Sequence, residues 1–555
     1  MAADRFISLV YLATCLLDFV APAETPNPQA KDPSDDFHIA IIGAGVAGAS
    51  AAYHLRRLSA SATEQSRGVK ITVYETSAVV GGKVKTISPP DSHAVLEAGA
   101  SYFFEDDWCL SDTARSLQME REVASQSTGA MIWNGYQLLE DRFCFRDAPR
   151  AATPGFWASV RGIVWQTAQT FITINLAGVD TKSELGKFHS EMAGMRDRLK
   201  SLGRNGVFSS LHDELDRVGL GGTANSSAEK FLQALAVPDS FQTNVVEPCV
   251  EALFGLNIKE ATGLHIVASM GATRSHPVAV GSGNGKLITQ MLHESGARLR
   301  TNSQVTKIEN GSQRRFSLTI ASTQSTEQTR EEHDGVVFTG DSMARLQSQG
   351  PRPSPKTSPH HITHFATVYT LEPKAVGLEL AWDSSTLLTT ANSSYLDSET
   401  RIMRQTTFPY FYIHRENCHW GDECDQFVHV HRVDSRAPLS KSKLRSMTKG
   451  TKNRGFNPIL WMHTESWNHT LPVDNGNCSD AAAYQVEAEP GVLNANSDLI
   501  STMEMSCIMG RNAALKLLQT TLLPNGLSQG EQPACLFVYS LCVKSADITP
   551  VLAYE

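Results

Sequence analysis

The run His38-Ile-Ala-Ile-Ile-Gly43-Ala-Gly45-Val46-Ala47-Gly48 constrains the fold more than any other stretch of this chain. Residues His38 to Ile42 are apolar and β-branched, the pattern of a strand covered on both faces. Three glycines follow at the spacing G-x-G-x-x-G, and a helical pattern starts at once. Gly43 permits a tight turn, Gly45 lets backbone approach a pyrophosphate, and Gly48 lets helix and strand pack closely. The free N–H groups at Val46 and Ala47 would then face phosphate. Glycines also cluster in ordinary turns, so the chain that follows has to decide.

Gly68 resets the chain for a second strand, Val69-Lys-Ile-Thr-Val-Tyr-Glu75. An acid at that strand end is placed to accept hydrogen bonds from an adenosine ribose. Next come Gly81-Gly82-Lys83 and then Leu96-Glu97-Ala98-Gly99-Ala100-Ser101. This succession resembles the flavoprotein amine oxidase superfamily. The resemblance implies FAD as cofactor, with Gly81, Gly82 and Lys83 against it and Gly99 and Ala100 bordering the flavin ring. It also implies an α/β fold: an FAD-binding Rossmann-like domain, an α+β substrate domain and a helical insertion.

Later landmarks extend the resemblance. From Phe156 to Phe254 the apolar residues recur at helical spacing, as in Leu185, Phe188, Met192 and Met195. The turn Gly281-Ser-Gly-Asn-Gly-Lys286 opens a helix and returns the chain to the first domain. Val305 would meet the adenine through its backbone, and the strand Asp334–Phe338 would end beside the cofactor at Gly340. An amphipathic helix follows Ser501, capped by Asp498 or Ser501, and carries Met503 and Glu504. Its N-terminal dipole would stabilise negative charge on the reduced flavin. The expected order is a leader 1–23, a linker 24–36, and FAD-domain parts 37–150 and 281–345. The helical region is 151–280, the substrate sheet 346–490, the FAD-contacting helix 491–518, and 519–555 is unassigned.

Val280–Lys286, Ala98–Phe103 and Thr502-Met-Glu-Met-Ser506 with Asn512-Ala-Ala-Leu515 resemble the prenylcysteine oxidase (prenylcysteine lyase) family in particular. That resemblance implies oxidative cleavage of the thioether of farnesyl- or geranylgeranyl-cysteine, giving cysteine, a prenyl aldehyde and hydrogen peroxide. The cofactor carries the difficult step, so no triad or metal cluster is required. Lys286 and Glu504 are the candidate catalytic polar groups near the flavin. The chain departs from the family in three places: an extra residue between Asn284 and Lys286, a segment Val492–Asn496 without the aromatic strand and glycine expected there, and the tail after Leu518. Two other readings stay open: an amine or polyamine oxidase, and a non-catalytic prenyl binder of the Rab escort and GDP-dissociation-inhibitor type.

Charge and composition exclude little beyond nucleic acid. The chain of 555 residues has a net charge of −9 and lacks a basic patch. Arg5 precedes the apolar run Phe6–Leu17, and Ala21-Pro-Ala23 offers a cleavage site, a secretory leader pattern. No later run is long and apolar enough to span a membrane; peripheral contact stays open. Asn225, Asn310, Asn392, Asn468 and Asn477 begin glycosylation sequons. Ten cysteines, nine once Cys15 leaves with the leader, look structural or idle, with Cys418 and Cys424 the best disulfide candidates. A secretory-pathway protein, lysosomal, vacuolar or secreted, is expected.

Overall fold

The computed structural model describes residues 36–60, 68–90, 95–123, 130–133, 138–141, 182–270, 276–312, 314–339, 361–368, 374–375, 378–379, 386–389, 402–414, 425–447, 459–467, 486–489, 491–495 and 499–522. The leader, the tail beyond 522, Gly340, Cys418, Cys424, Asn392, Asn468 and Asn477 lie outside these residues.

Strand β1 (Phe37–Ile42) leads through the glycine turn into helix α1 (Val46–Ala60) and back to β2 (Val69–Tyr74). Further along, α2 (Trp108–Ser116), α3 (Lys182–Leu199) and α4 (Asn284–Glu294) precede β3 (Arg298–Arg300). Then come β4 (Gly335–Phe338), β5 (Val492–Asn494) and α5 (Met503–Leu517). The parallel sheet runs β3-β2-β1-β4-β5, with Glu487–Glu489 added antiparallel at its edge. This is the doubly wound order, in which ligands bind beyond the carboxyl ends of the strands where the order reverses, at β1 and β4.

Both faces of β1 are covered, as its apolar run requires. Ile39 and Ile41 enter the core under the helices, while Ala40 enters a smaller core. That smaller core lies against an antiparallel sheet of Ser303–Asn310, Phe316–Ser322 and Gln328–His333. Helix α5 differs from the expected amphipathic helix. It is buried on most of its surface and packs on α1. Gly510 allows this crossing, because a Cβ there would stand 2.1 Å from the Ala47 carbonyl oxygen. Ser50 Oγ donates to the Cys507 carbonyl at 2.7 Å across the same contact.

A second, mixed sheet orders Ile459–Trp467, His361–Val368, Asp425–Ser435, Ile402–His414, Thr386–Thr389, Ala130–Trp133 and Leu138–Asp141. The last two strands form an antiparallel hairpin, whose turn at Asn134-Gly135 lies outside the described residues. Ala130–Trp133 pairs in parallel with Thr386–Thr389. This hairpin therefore belongs to the second sheet, a correction to its placement in the first domain. The segment Val492–Asn496, which lacks the aromatic strand expected of the family, still supplies β5, buried at Val492 and Leu493. Its pairing with β4 is set by tertiary contacts, and no aromatic residue is needed for it.

Against the second sheet lies a helical layer in which α3, Glu247–Phe254 and Gly263–Met270 pack together. Gly263–Met270 is buried at every residue, which explains its nearly unbroken apolar sequence.

Candidate functional site: an extended dinucleotide cradle

One cavity runs from the β1–α1 turn to the helical layer. Its first part is backbone. Gly43 has φ +104°, and a Cβ on Gly48 would stand 1.9 Å from the Gly43 carbonyl oxygen. The two outer glycines are thus demanded by the protein itself. Gly45 is different. A Cβ there would clear its nearest protein atoms, Gly81 O and Gly82 Cα, by 3.9 Å, so the space it protects belongs to the cavity. The helical ladder starts with Ala49 N–H on Gly45 O at 2.9 Å, leaving the N–H groups of Val46 and Ala47 for an anion.

Glu75 pins this turn. Its Oε2 accepts from Ala44 N–H at 2.8 Å and its Oε1 from Ser77 N–H at 2.9 Å. The carboxylate lines the cavity and retains lone pairs for ribose hydroxyls. The double-glycine turn is strapped alongside: Gly81 N–H donates to Ala44 O at 2.9 Å, and Gly81 and Gly82 have φ of +120° and +57°. Lys83 follows on the cavity wall, and its carbonyl receives Ala100 N–H at 2.9 Å. A Cβ on Gly99 would meet that same carbonyl at 1.8 Å. The turns at Gly43, Gly81 and Gly99 therefore form one continuous backbone surface.

Glu97 supports the third turn from beneath. Its carboxyl accepts from Asn284 N–H at 2.6 Å and from Thr86 Oγ1, and burial pushes it up to about 7. In doing so it caps α4, whose Gly283 cap has no side chain to offer. From the second sheet, Arg432 donates to Glu97 O at 2.9 Å and to Ser101 Oγ. Arg404 and Arg432 both bind Asp434, which is fully buried. Trp467 closes the same region, its indole 3.3 Å from where a Gly99 Cβ would stand. Its Nε1–H is buried without an acceptor among the described residues.

The N-terminus of α5 forms the opposite wall through Ser501, Thr502 and Met503. The cap is Thr502, which accepts from Met505 N–H at 3.1 Å, rather than Ser501, and Asp498 lies outside the described residues. Glu504 lines the cavity, but its carboxylate is turned onto Cys109 and Leu110 N–H at 2.8 and 2.9 Å. It caps α2 from another helix, a positioning role that corrects the expected catalytic one. Burial, and then the neighbouring Asp107, hold its carboxyl well above the usual carboxylate range. Asp107 is itself pushed up to about 6 by burial.

Other expectations need correction too. Lys286 is exposed on α4 and takes no part in the cavity. Val305 is buried in the smaller core and is not among the residues lining the cavity. Of the two readings of the cysteines the structural one holds for three of them: Cys109 and Cys507 form a disulfide joining α2 to α5 across 398 residues, and Cys249 is also disulfide-bonded. The His54 imidazole lies near those two sulfurs, but their disulfide leaves a single imidazole, so the group holds no ligand set. Of the sequons, Asn310 is exposed, while Asn225 is half-buried with its amide near His212.

A phosphate turn, a ribose acid, two further glycine turns and a helix N-terminus in one line fit FAD. The fold and site together define an FAD-dependent oxidoreductase with the amine oxidase fold. The prenylcysteine lyase profile matches residues 198–523, and an NAD(P)-binding Rossmann-like domain profile matches residues 41–117. The chain belongs to the prenylcysteine lyase family. Among solved structures, a putrescine oxidase triple mutant superposes with TM-score 0.55 at 13% identity, covering 87% of this chain and 99% of that one. Wild-type putrescine oxidase bound to putrescine gives 0.52 at 14% identity, with the same coverage. Coproporphyrinogen III oxidase of Staphylococcus aureus is 28% identical over 91 residues. That match spans 16% of this chain and 18% of that enzyme's length.

Proposed function

We propose that this flavin-dependent oxidoreductase is a thioether oxidase acting on farnesyl- or geranylgeranyl-cysteine. The observation that carries the reading is the apolar share of the cavity lining: Phe104, Leu199, Leu253, Phe254 and Ile508, largely from the helical layer, beside the Asp107–Arg196 ion pair. Such an apolar lining suits an isoprenoid chain. Bound FAD would supply the hydride acceptor for the allylic carbon next to sulfur and pass the electron pair to oxygen. The chain's own part is to orient that carbon and exclude bulk water from it.

Charge in the lining is mixed: Lys83, Arg196, Lys200, Arg404 and Arg432 outnumber Glu75, Asp107 and Glu504, which disfavours a polyamine. Trp467 does supply an aromatic wall, a residue the sequence near α5 did not reveal. Among the described residues no helix is long and apolar enough to cross a membrane. A luminal compartment such as the lysosome is our reading, supported by the leader pattern, the sequons and the Cys109–Cys507 disulfide. The test is peroxide release from S-farnesylcysteine and from putrescine by the purified yellow protein. Release from the thioether alone supports the proposal, and release from the amine alone sinks it.

A further inference from the structure

We propose that Asp107 takes the proton of the water that attacks the substrate's oxidised carbon. This rests on the thioether-oxidase reading. Asp107 stands at the N-cap of α2 in extended backbone, and its carbonyl accepts Ser111 N–H at 2.9 Å. An aspartate there ordinarily turns its side chain onto the N–H groups two and three residues on. In this chain those belong to Cys109 and Leu110, and Glu504 takes both from a helix almost 400 residues away. Asp107 makes no side-chain cap. A second buried carboxyl thus does the work that its position suits, and the Asp107 carboxyl stays on the cavity wall. Its Oδ2 accepts Phe104 N–H at 2.8 Å. Its Oδ1 accepts no hydrogen bond among the described residues and faces Arg196 Nη2 at 3.6 Å.

Three acids line the cavity. Glu75 holds the first turn at the ribose end, and Glu504 has spent both oxygens on α2. The lysine and arginine side chains of the lining are donors only. Away from the ribose end, Asp107 is therefore the acid with an oxygen to spare. The charged groups facing it are Arg196 on α3, Lys200 just beyond α3, its neighbour Asp106, and Glu504 on α5. Burial outweighs the two cations and holds the carboxyl at about 6, so it is ionised at neutral pH yet basic enough to accept a proton.

Once the allylic carbon has given up a hydride, sulfur shares its positive charge. Water then bonds to that carbon as one water proton passes to Asp107 Oδ1, which gives the hemithioacetal. On collapse the C–S bond breaks, sulfur takes the proton from Asp107, and the hydroxyl proton returns to the carboxyl. Cysteine and the aldehyde result. The hydride and the proton left on Asp107 are together what oxygen requires to become hydrogen peroxide.

The experiment is a single turnover of the yellow holoenzyme with S-farnesyl-L-cysteine under anaerobic conditions. Flavin bleaching reads hydride transfer, and farnesal release reads the water step. Asp107→Asn should bleach within about twofold of wild type and release farnesal about a hundred- to ten-thousandfold more slowly, the range of general base catalysis. Asp107→Glu should restore part of the release. In the wild type, release should slow as pH falls below about 6 while bleaching does not slow with it. Unchanged release in a yellow Asp107→Asn protein overturns the proposal. Equal losses of bleaching and release also overturn it, since they mark a residue that only shapes the cavity. The pH comparison needs no variant, and wild-type release that does not slow below about pH 6 overturns the proposal by itself. A wild-type flavin that the thioether leaves yellow removes the reading of function and this proposal with it, whereas the other failures remove this proposal alone.

Discussion

At the scale of single residues, the three glycines of the first turn have separate tasks. Gly43 and Gly48 are required by the protein's own backbone, at a positive φ and at a 1.9 Å approach. Gly45 alone guards ligand space. Gly45→Val should therefore fold and lose its visible flavin absorbance, whereas Gly48→Val should lower the melting temperature as well. A folded, yellow Gly45→Val protein would show that the pyrophosphate lies elsewhere. Glu97 gives a second residue-level prediction. Burial raises its carboxyl from 4.5 to about 7, so the fold prefers the protonated form. Its contribution is whole below pH 4.5 and is lost as pH climbs to about 7, by about 3 kcal/mol. Glu97→Gln keeps the acceptor for Asn284 N–H and should flatten that part of the stability–pH curve, measured by urea unfolding. An unaltered curve would refute the assignment.

At the scale of elements, α5 is held at both ends of its function. Thr502 caps it, Glu504 ties it to α2, and Cys507 bonds it covalently to Cys109. A cross-link closing so long a loop typically contributes 2–4 kcal/mol. Cys109→Ala with Cys507→Ala should lower the melting temperature by several degrees and loosen flavin binding, because the helix N-terminus moves with it. Calorimetry and flavin release on dilution would check this, and identical values would make the bridge incidental. Thr502→Ala should cost about 1 kcal/mol by loss of the cap. None of the partners of α5 was legible beforehand. Thr502-Met-Glu-Met-Ser reads equally as a surface helix with an acidic first turn. Which carboxylate meets which N–H depends on a helix almost 400 residues away.

At the scale of the whole molecule, three buried carboxyls, Glu97, Asp107 and Glu504, are all raised by burial and all adjoin the cavity wall. Each favours the fold when protonated, so each loses its contribution as pH rises. The buried His54, His265 and His333, lowered by burial to about 3, 4 and 4, act in the opposite sense and lose their contribution as pH falls. Glu97→Gln with Glu504→Gln should therefore raise the melting temperature at pH 7.5 relative to that at pH 5, and an unchanged difference would refute the carboxyl assignment.

The sequence by itself determined the dinucleotide end of the molecule. The Gly43–Gly48 turn, Glu75, Gly81-Gly82 and Gly99 act through local backbone geometry, and such geometry is written in residues a few positions apart. Only the tertiary structure decided the other end. Arg404, Arg432, Trp467, Asp107 and the Cys109–Cys507 bridge arrive from strands and helices distant in the chain. Their meaning depends on burial and on partners that no spacing encodes. For the same reason Lys286, plausible in its motif, turned out to face solvent, while Glu504 turned from the cavity to a helix end. Val492–Asn494 became a sheet strand through its neighbours rather than its composition.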